Sequence, residues 1–168
     1  MYKRQLVIRI GDLADSTLIA SRLATQTRIL CASPAYLERA GAPAAVNDIG
    51  CHRLIDKLHG ADLLGWTDVL GHPARACGGQ PVFACDDFEA MRLAAHEGMG
   101  IAYLPDWVVG PDIKAGQLRQ LFPEWSQQPC ATTGIHALRA LRQPPARVTV
   151  LLDALRAAIG QPPVWALA

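Results

Sequence analysis

Arg9 stands inside an otherwise apolar run, Leu6-Val7-Ile8-Arg9-Ile10. A guanidinium held on a strand presents a planar fork of N–H donors, the geometry that clamps a carboxylate. The competing reading is an edge position with the side chain in solvent. Ser33-Pro34 offers a second chemistry. Serine followed by proline is a helix start, and the open N–H groups of a first turn favour an anion. Plain capping accounts for the same pair. Asp86-Asp87-Phe88 closes a strand-like run, and Asp86 with Glu89 has the spacing of a capping box. Two carboxylates adjacent in sequence rarely converge on one bond.

Reaction chemistry has little else to build on. There is no G-x-S-x-G, P-loop or H-E-x-x-H pattern. The histidines at 52, 59, 72, 96 and 136 lack metal-ligand spacing. The five cysteines, Cys31, Cys51, Cys77, Cys85 and Cys130, include no C-x-x-C pair. That argues against a zinc site or a disulfide framework and for free thiols in a reducing compartment. Cys31 and Cys85 lie in apolar runs, where a thiol is inert rather than nucleophilic. With no nucleophile paired to a base, the sequence is not expected to encode an enzyme, nor to hold a cofactor or a metal.

The chain has 168 residues, 51% hydrophobic and 18% charged, with a formal net charge of +1. This is a globular composition for one large domain or two small lobes. A module that grips nucleic acid must neutralise phosphates and is usually strongly basic, so these residues are not expected to bind DNA themselves. No apolar run is long enough for a membrane span and the start lacks signal-peptide architecture. A cytoplasmic protein with no membrane association is expected.

The elements that must position these residues alternate. Strand-like runs are expected at residues 6–10, 18–23, 27–32, 53–55, 81–85, 101–104, 118–121 and 135–141. A helix follows Ser33-Pro34 and ends at Gly41, and a short helical turn covers residues 44–49. Another helix follows Asp86-Asp87 with Phe88, Met91 and Ala95 on one face and ends at Gly98. A third opens at Pro105-Asp106. From Ala146 onward Val148, Leu151, Leu152, Leu155, Ala158 and Ile159 form an apolar stripe ended by Gly160-Gln161-Pro162-Pro163. Residues 56–80 are the least readable part, with a strand expected near Leu63-Leu64-Gly65-Trp66 and loops at 71–79. Gly98 and Gly100 read as structural glycines. The alternation is that of an α/β domain. A core-like strand with almost nothing before it reads as the interior of a longer domain.

The ordered set of these stretches resembles one family. LVIRIGD at residues 6–12, followed by Asp15-Ser16-Thr17-Leu18-Ile19-Ala20 and Arg22-Leu23, resembles the first-lobe strand and loop of LysR-type effector domains. RILCASPAYL at 28–37 resembles their crossing strand and first second-lobe helix. Residues 83–95 and GMGIAYLP at 98–105 resemble their strand, helix and GxGIxxLP segment. Gly116-Gln117-Leu118 and residues 142–154 fit the edge strand and terminal helix. No single motif is decisive, but the series covers residues 6–159 in order.

The resemblance implies a periplasmic-binding-protein-like type II fold, two Rossmann-like lobes with the first lobe incomplete. Residues 1–27 and 131–168 would be the remnant of lobe I and residues 28–130 lobe II, with the winged helix-turn-helix absent. It implies a small-molecule effector in the inter-lobe cleft, an organic acid or aromatic metabolite. The full-length regulator would be a homo-oligomer, dimer or tetramer, meeting DNA only through its N-terminal domain. The candidate effector-binding residues are Arg9, Gly11, Ser33, Pro34, Trp66, Asp86, Phe88 and Thr132. Trp66 would be an aromatic wall or simply core, and Thr132, near the second crossing, a hydroxyl donor or a loop residue. The competing readings are a periplasmic-type solute-binding protein and a gene fragment without function.

Overall fold

The computed structural model describes residues 5–11, 13, 16–58, 66, 81–127 and 132–167. In chain order its elements are β1 (Val7–Ile10), β2 (Ile19–Ala32), α1 (Pro34–Ala40), a 3-10 turn (Val46–Cys51), β3 (Leu54–Lys57), β4 (Pro81–Cys85), α2 (Phe88–His96), β5 (Ile101–Pro105), α3 (Asp106–Lys114), β6 (Arg119–Leu121), a second 3-10 turn (Pro123–Gln127), β7 (Thr132–Arg139) and α4 (Ala146–Ile159). The strand and loops expected at residues 63–65 and 71–79 lie outside the described residues, as do Cys77, Cys130, His59 and His72. Trp66 is helical rather than extended.

β2 organises the molecule. The sequence suggests two short strands separated near Thr25-Gln26; the structure makes one of 14 residues. Threonine is itself a good strand former, so the polar interval does not interrupt the backbone. From Ile19 to Thr27 the strand pairs antiparallel with β7, ending at Thr27 opposite Thr132. One residue later its partners change. Arg28 lies opposite Pro105 of β5, and Leu30 to Ala32 lie opposite Leu121 to Arg119 of β6. β1 adds to the far edge of β7, and β3 and β4 run parallel beyond β5, in the order β1-β7-β2-β5-β3-β4.

Pleat alternation sends the side chains of β2 and β5 to two faces. Leu30, Ala32, Ile101 and Tyr103 meet Tyr36 and Leu37 of α1. Ile29, Cys31, Ala102 and Leu104 meet Met91 and Ala95 of α2 and Val109 of α3. A third cluster joins Leu23, Ala24, Ile135 and Ala137 to Val148 and Leu152 of α4. The stripe expected on α4 is narrower in fact. Val148 and Leu152 are buried and Leu155 and Ile159 half-buried, but Leu151 is 49% exposed and Ala158 lies in solvent. The sheet beneath α4 is three strands wide among the described residues, and one narrow face of the helix meets it along its length. An apolar groove beside β1, lined by Ile8, Ile10, Leu23, Ile135, Leu155 and Ile159, stays open.

Two local expectations need correction. The cap of α2 is Asp87, not Asp86: Asp87 has the extended backbone an N-cap needs (φ −98°, ψ 117°), and its carboxylate accepts the N–H groups of Glu89 and Ala90 at 2.7 and 3.4 Å. Asp86 precedes it in a bend. The free-thiol expectation holds for Cys31 and Cys85 and fails at Cys51, which is disulfide-bonded. The lack of a C-x-x-C pair excludes only short-range pairing. Burial pushes the Cys31 thiol up to about 12, with Asp112 adding to the effect, so it stays protonated and inert.

Gly100 is fixed by close approach. A Cβ there would collide with the backbone carbonyl of Arg53, the same oxygen that accepts the Ile101 N–H at 2.9 Å. Gly100→Ala must push β3 away from β5, and we expect a loss of about 2–3 kcal/mol in urea unfolding. An unchanged midpoint would show that β3 can shift freely.

Candidate functional site

β1, β7 and β2 as far as Thr27 make a first sheet, and β2 from Arg28 with β3 to β6 a second. β3, β4 and β5 of the second are parallel, and their carboxyl ends lie together. Lys57, the last residue of β3, is opposite Cys85, the last of β4, and Pro105, the last of β5, is opposite Arg28. In open α/β sheets the crevice outside these ends is where ligands bind. Here it also faces the first sheet, because Thr27 and Thr132 pair immediately beyond Arg28.

Side chains of both units converge in this crevice. Lys57 Nζ stands 4.8 Å from the centroid of the Phe88 ring. Phe88 meets Trp107 edge to face, with centroids 5.9 Å apart. Trp107 donates its Nε1–H to Gln26 Oε1 at 2.6 Å, and Gln26 Nε2 donates to Thr133 Oγ1 at 2.8 Å. A buried amide of β2 is thus held at both its oxygen and its nitrogen, by the first helix turn of one unit and by β7 of the other. Asp86, Asp87, Phe88, Glu89, Trp107 and Val108 line an open hollow there. The lining combines two aromatic rings with three carboxylates, and the Lys57 ammonium lies on the Phe88 ring beside it, a setting for a planar small molecule.

Asp106 precedes Trp107 at the start of α3. It is 8% exposed. Burial pushes its carboxyl up to about 6, while N–H groups of Thr27, Trp107 and its own backbone hold it down against that trend. The bond to the Trp107 N–H measures 2.8 Å. No group of three His, Cys, Asp or Glu among the described residues could hold a metal ion. Among them, too, no helix is long and apolar enough to cross a membrane.

The candidates from sequence separate into those at the crevice and those away from it. Asp86 and Phe88 line it. The Thr132 backbone lies at its edge opposite Thr27, and Gly11 reaches the same region through its N–H, which donates to Gly134 O at 3.0 Å. Arg9 is opposite His136, four residues from Thr132 along β7 and so roughly 13 Å away, and is exposed. Ser33 and Pro34 follow the other end of β2, five residues past Arg28 or roughly 17 Å from the crevice. There Ser33 Oγ accepts the Tyr36 N–H at 3.3 Å, so capping is the role its geometry shows. Trp66 packs on the α1 face beside Tyr103 and donates its Nε1–H to Ile55 O at 3.1 Å, the core alternative. Sequence reasoning missed Gln26, Lys57, Asp106 and Trp107. The available signal was position: Lys57 and Asp106-Trp107 directly follow apolar runs read as buried strands.

A family model for the LysR substrate binding domain matches residues 3–160. The chain belongs to the LysR substrate-binding domain family. It is 32% identical to the HTH-type transcriptional regulator DmlR of Escherichia coli over 149 residues, 86% of this chain and 47% of that protein. It is 32% identical to the HTH-type transcriptional regulator CrgA of Neisseria meningitidis over 124 residues, 73% of this chain and 40% of that protein. The chain therefore spans about half the length, or less, of the curated relatives it matches. The solved regulatory domain of CrgA, a LysR-type regulator, superposes with a TM-score of 0.76 at 28% identity, covering 93% of this chain and 76% of that one. The regulatory domain of AphB from Vibrio vulnificus, at 24% identity and a TM-score of 0.68, shares the fold. The fold is the periplasmic-binding-protein-like type II architecture of LysR regulatory domains.

Asp106 gives this LysR domain a pH dependence of definite sign. Its folded pKa lies above the ordinary 3.8, so the folded state binds the proton more tightly. The stability this contributes is present at low pH and is lost as pH rises from about 4 to about 6. Asp106→Asn keeps the acceptor oxygen and removes the charge. In urea unfolding followed from pH 4 to 7, the variant should gain on the wild type by on the order of 1 kcal/mol across that window, after solvent screening. Parallel profiles would mean that Asp106 is not desolvated.

Proposed function

We propose that this chain is the effector-sensing part of a LysR-family DNA-binding transcription regulator and that it takes a small organic or aromatic acid in the crevice at residues 26–27, 57, 86–88 and 107. The observation that carries the reading is the change of partners within β2, which sets an ammonium on an aromatic ring where the two sheets meet. Lys57 supplies the charge for a carboxylate seated at the Phe88 ring, on the side away from the acidic rim of Asp86, Asp87 and Glu89, and Phe88 and Trp107 the apolar faces. Asp86, Gly11 and Thr132 border the same space, and Arg9, the other candidate cation from the sequence, is exposed further along the first sheet. Lobe I comprises residues 1–27 and 131–168, and lobe II residues 28–130. An effector that binds one lobe arrangement better than another shifts their populations by that difference in affinity. The whole regulator works in the cytoplasm as a homo-oligomer, contacting DNA through a domain outside these residues. Exposed residues of α1 offer a surface for subunit pairing.

The test is calorimetric titration with a panel of aliphatic and aromatic carboxylates, each beside its neutral amide. A carboxylate should bind and its amide should not. Lys57→Gln should weaken that binding about tenfold, equivalent to about 1.4 kcal/mol, and Phe88→Ala should weaken aromatic acids more than aliphatic ones. Equal binding of acids and amides, or no saturable heat from a chain whose circular dichroism is that of the folded protein, would overturn the reading.

A further inference from the structure

A second hollow lies on the other side of Asp106. It holds about 320 Å³ and is lined by Thr25 and Thr27 of β2, Asp106, Gln120 of β6, Ser126, and Pro163 and Leu167 of the C-terminal residues, with Ile29 as its floor. The roof is a strap. After α4 the chain folds on itself, with the Val164 N–H on Ile159 O and the Ala166 N–H on Pro163 O, both at 2.8 Å. It then crosses to α3. Lys114 Nζ donates to Val164 O at 2.9 Å, and the Trp165 carbonyl rests where a Cβ on Gly110 would come within 2.5 Å of it. Trp165 packs with the first sheet and α4, whereas Leu167 packs with α2 and α3. The strap is therefore seated on both units.

The lining defines the guest. Hydroxyls of Thr25, Thr27 and Ser126 and the amide of Gln120 can each donate or accept. Gln120 Nε2 donates to Ser126 Oγ at 3.1 Å, leaving Gln120 Oε1 and the Ser126 proton for a guest. Asp106 is the one charged group in the lining, so a carboxylate ligand would meet a like charge. At the rim Arg22 donates to Thr25 Oγ1 at 2.9 Å, and an ammonium ligand would meet that cation. Ile29, Pro163 and Leu167 offer apolar surface to C–H groups.

We propose that this hollow is a second small-molecule site, closed by the strap, for a neutral polyhydroxylated ligand of about the size of a sugar alcohol. The ligand donates hydroxyl protons to Asp106 and Gln120 Oε1 and accepts from Thr27 and Ser126. Spanning β2, the turn after β6 and the strap, it favours the arrangement in which the strap is seated.

The experiment is NMR and calorimetric titration of the full chain with erythritol and xylitol, with succinate as the anionic control. Polyols stabilise proteins without binding at high concentration, so the readout is saturable shift changes at millimolar ligand. Thr27→Val and Ser126→Ala should each weaken binding about tenfold, and Thr27→Ser, which keeps the hydroxyl, should retain it. Gly110→Val, which displaces the strap without touching the lining, should also weaken it. Lys57→Gln should leave it unchanged, which separates this site from the crevice at Phe88. Absence of saturable binding by either polyol, equal affinity in Thr27→Val and the wild type, or succinate competing for the same resonances would overturn the proposal.

Discussion

A backbone that passes from one sheet to another must keep its N–H and C=O groups paired at the step where partners change, since a buried unpaired group costs about as much as a lost hydrogen bond. In β2 that step falls between Thr27 and Arg28. The Thr27 N–H finds the carboxylate of Asp106, while Gln26 spends its amide on Trp107 and Thr133. Much else follows. Asp106 must stand at the first turn of α3, which fixes the end of β5. Trp107 must then project toward the first sheet, which brings it against Phe88. The crevice is the space that remains when this exchange of partners is satisfied.

The two hollows inherit opposite characters from the same junction. On the side of Phe88 two rings stand among three carboxylates, with Lys57 held on one of the rings. On the side of Thr25 the lining has hydroxyls and an amide and a single carboxylate. Asp106 lines the second hollow and its neighbour Trp107 the first, so two consecutive residues of α3 face the two spaces.

Order and type of elements were legible because strand runs such as residues 101–105 and the helix start at Ser33-Pro34 carry strong local signals. The family resemblance was legible for the same reason, as a series of such segments. The continuity of β2 was not, because its polar interval at Thr25-Gln26-Thr27 looks like a loop until the partner strands are known. Asp86 and Phe88 were readable as lying at the crevice because they follow a clear strand. Ser33 and Pro34 were drawn to the site by their anion-binding chemistry, yet β2 carries them to the far end of its sheet. The ends of a strand have opposite fates, and residue type alone does not say which end faces the cleft. Lys57 was invisible for another reason: its role depends on a ring 31 positions later in the chain, a pairing that only tertiary structure creates.

The strap changes the kinematics of the pair of lobes. β2 and the return of the chain between β6 and β7 attach one unit to the other at two places, and two attachments define an axis about which a body still turns. The contact of Trp165 and Val164 with α3 is a third attachment, off that axis. Rotation about the axis would have to break it. That contact rests on Gly110 and Lys114, a missing side chain and one donated proton in the middle and at the end of the helix whose first turn touches β2.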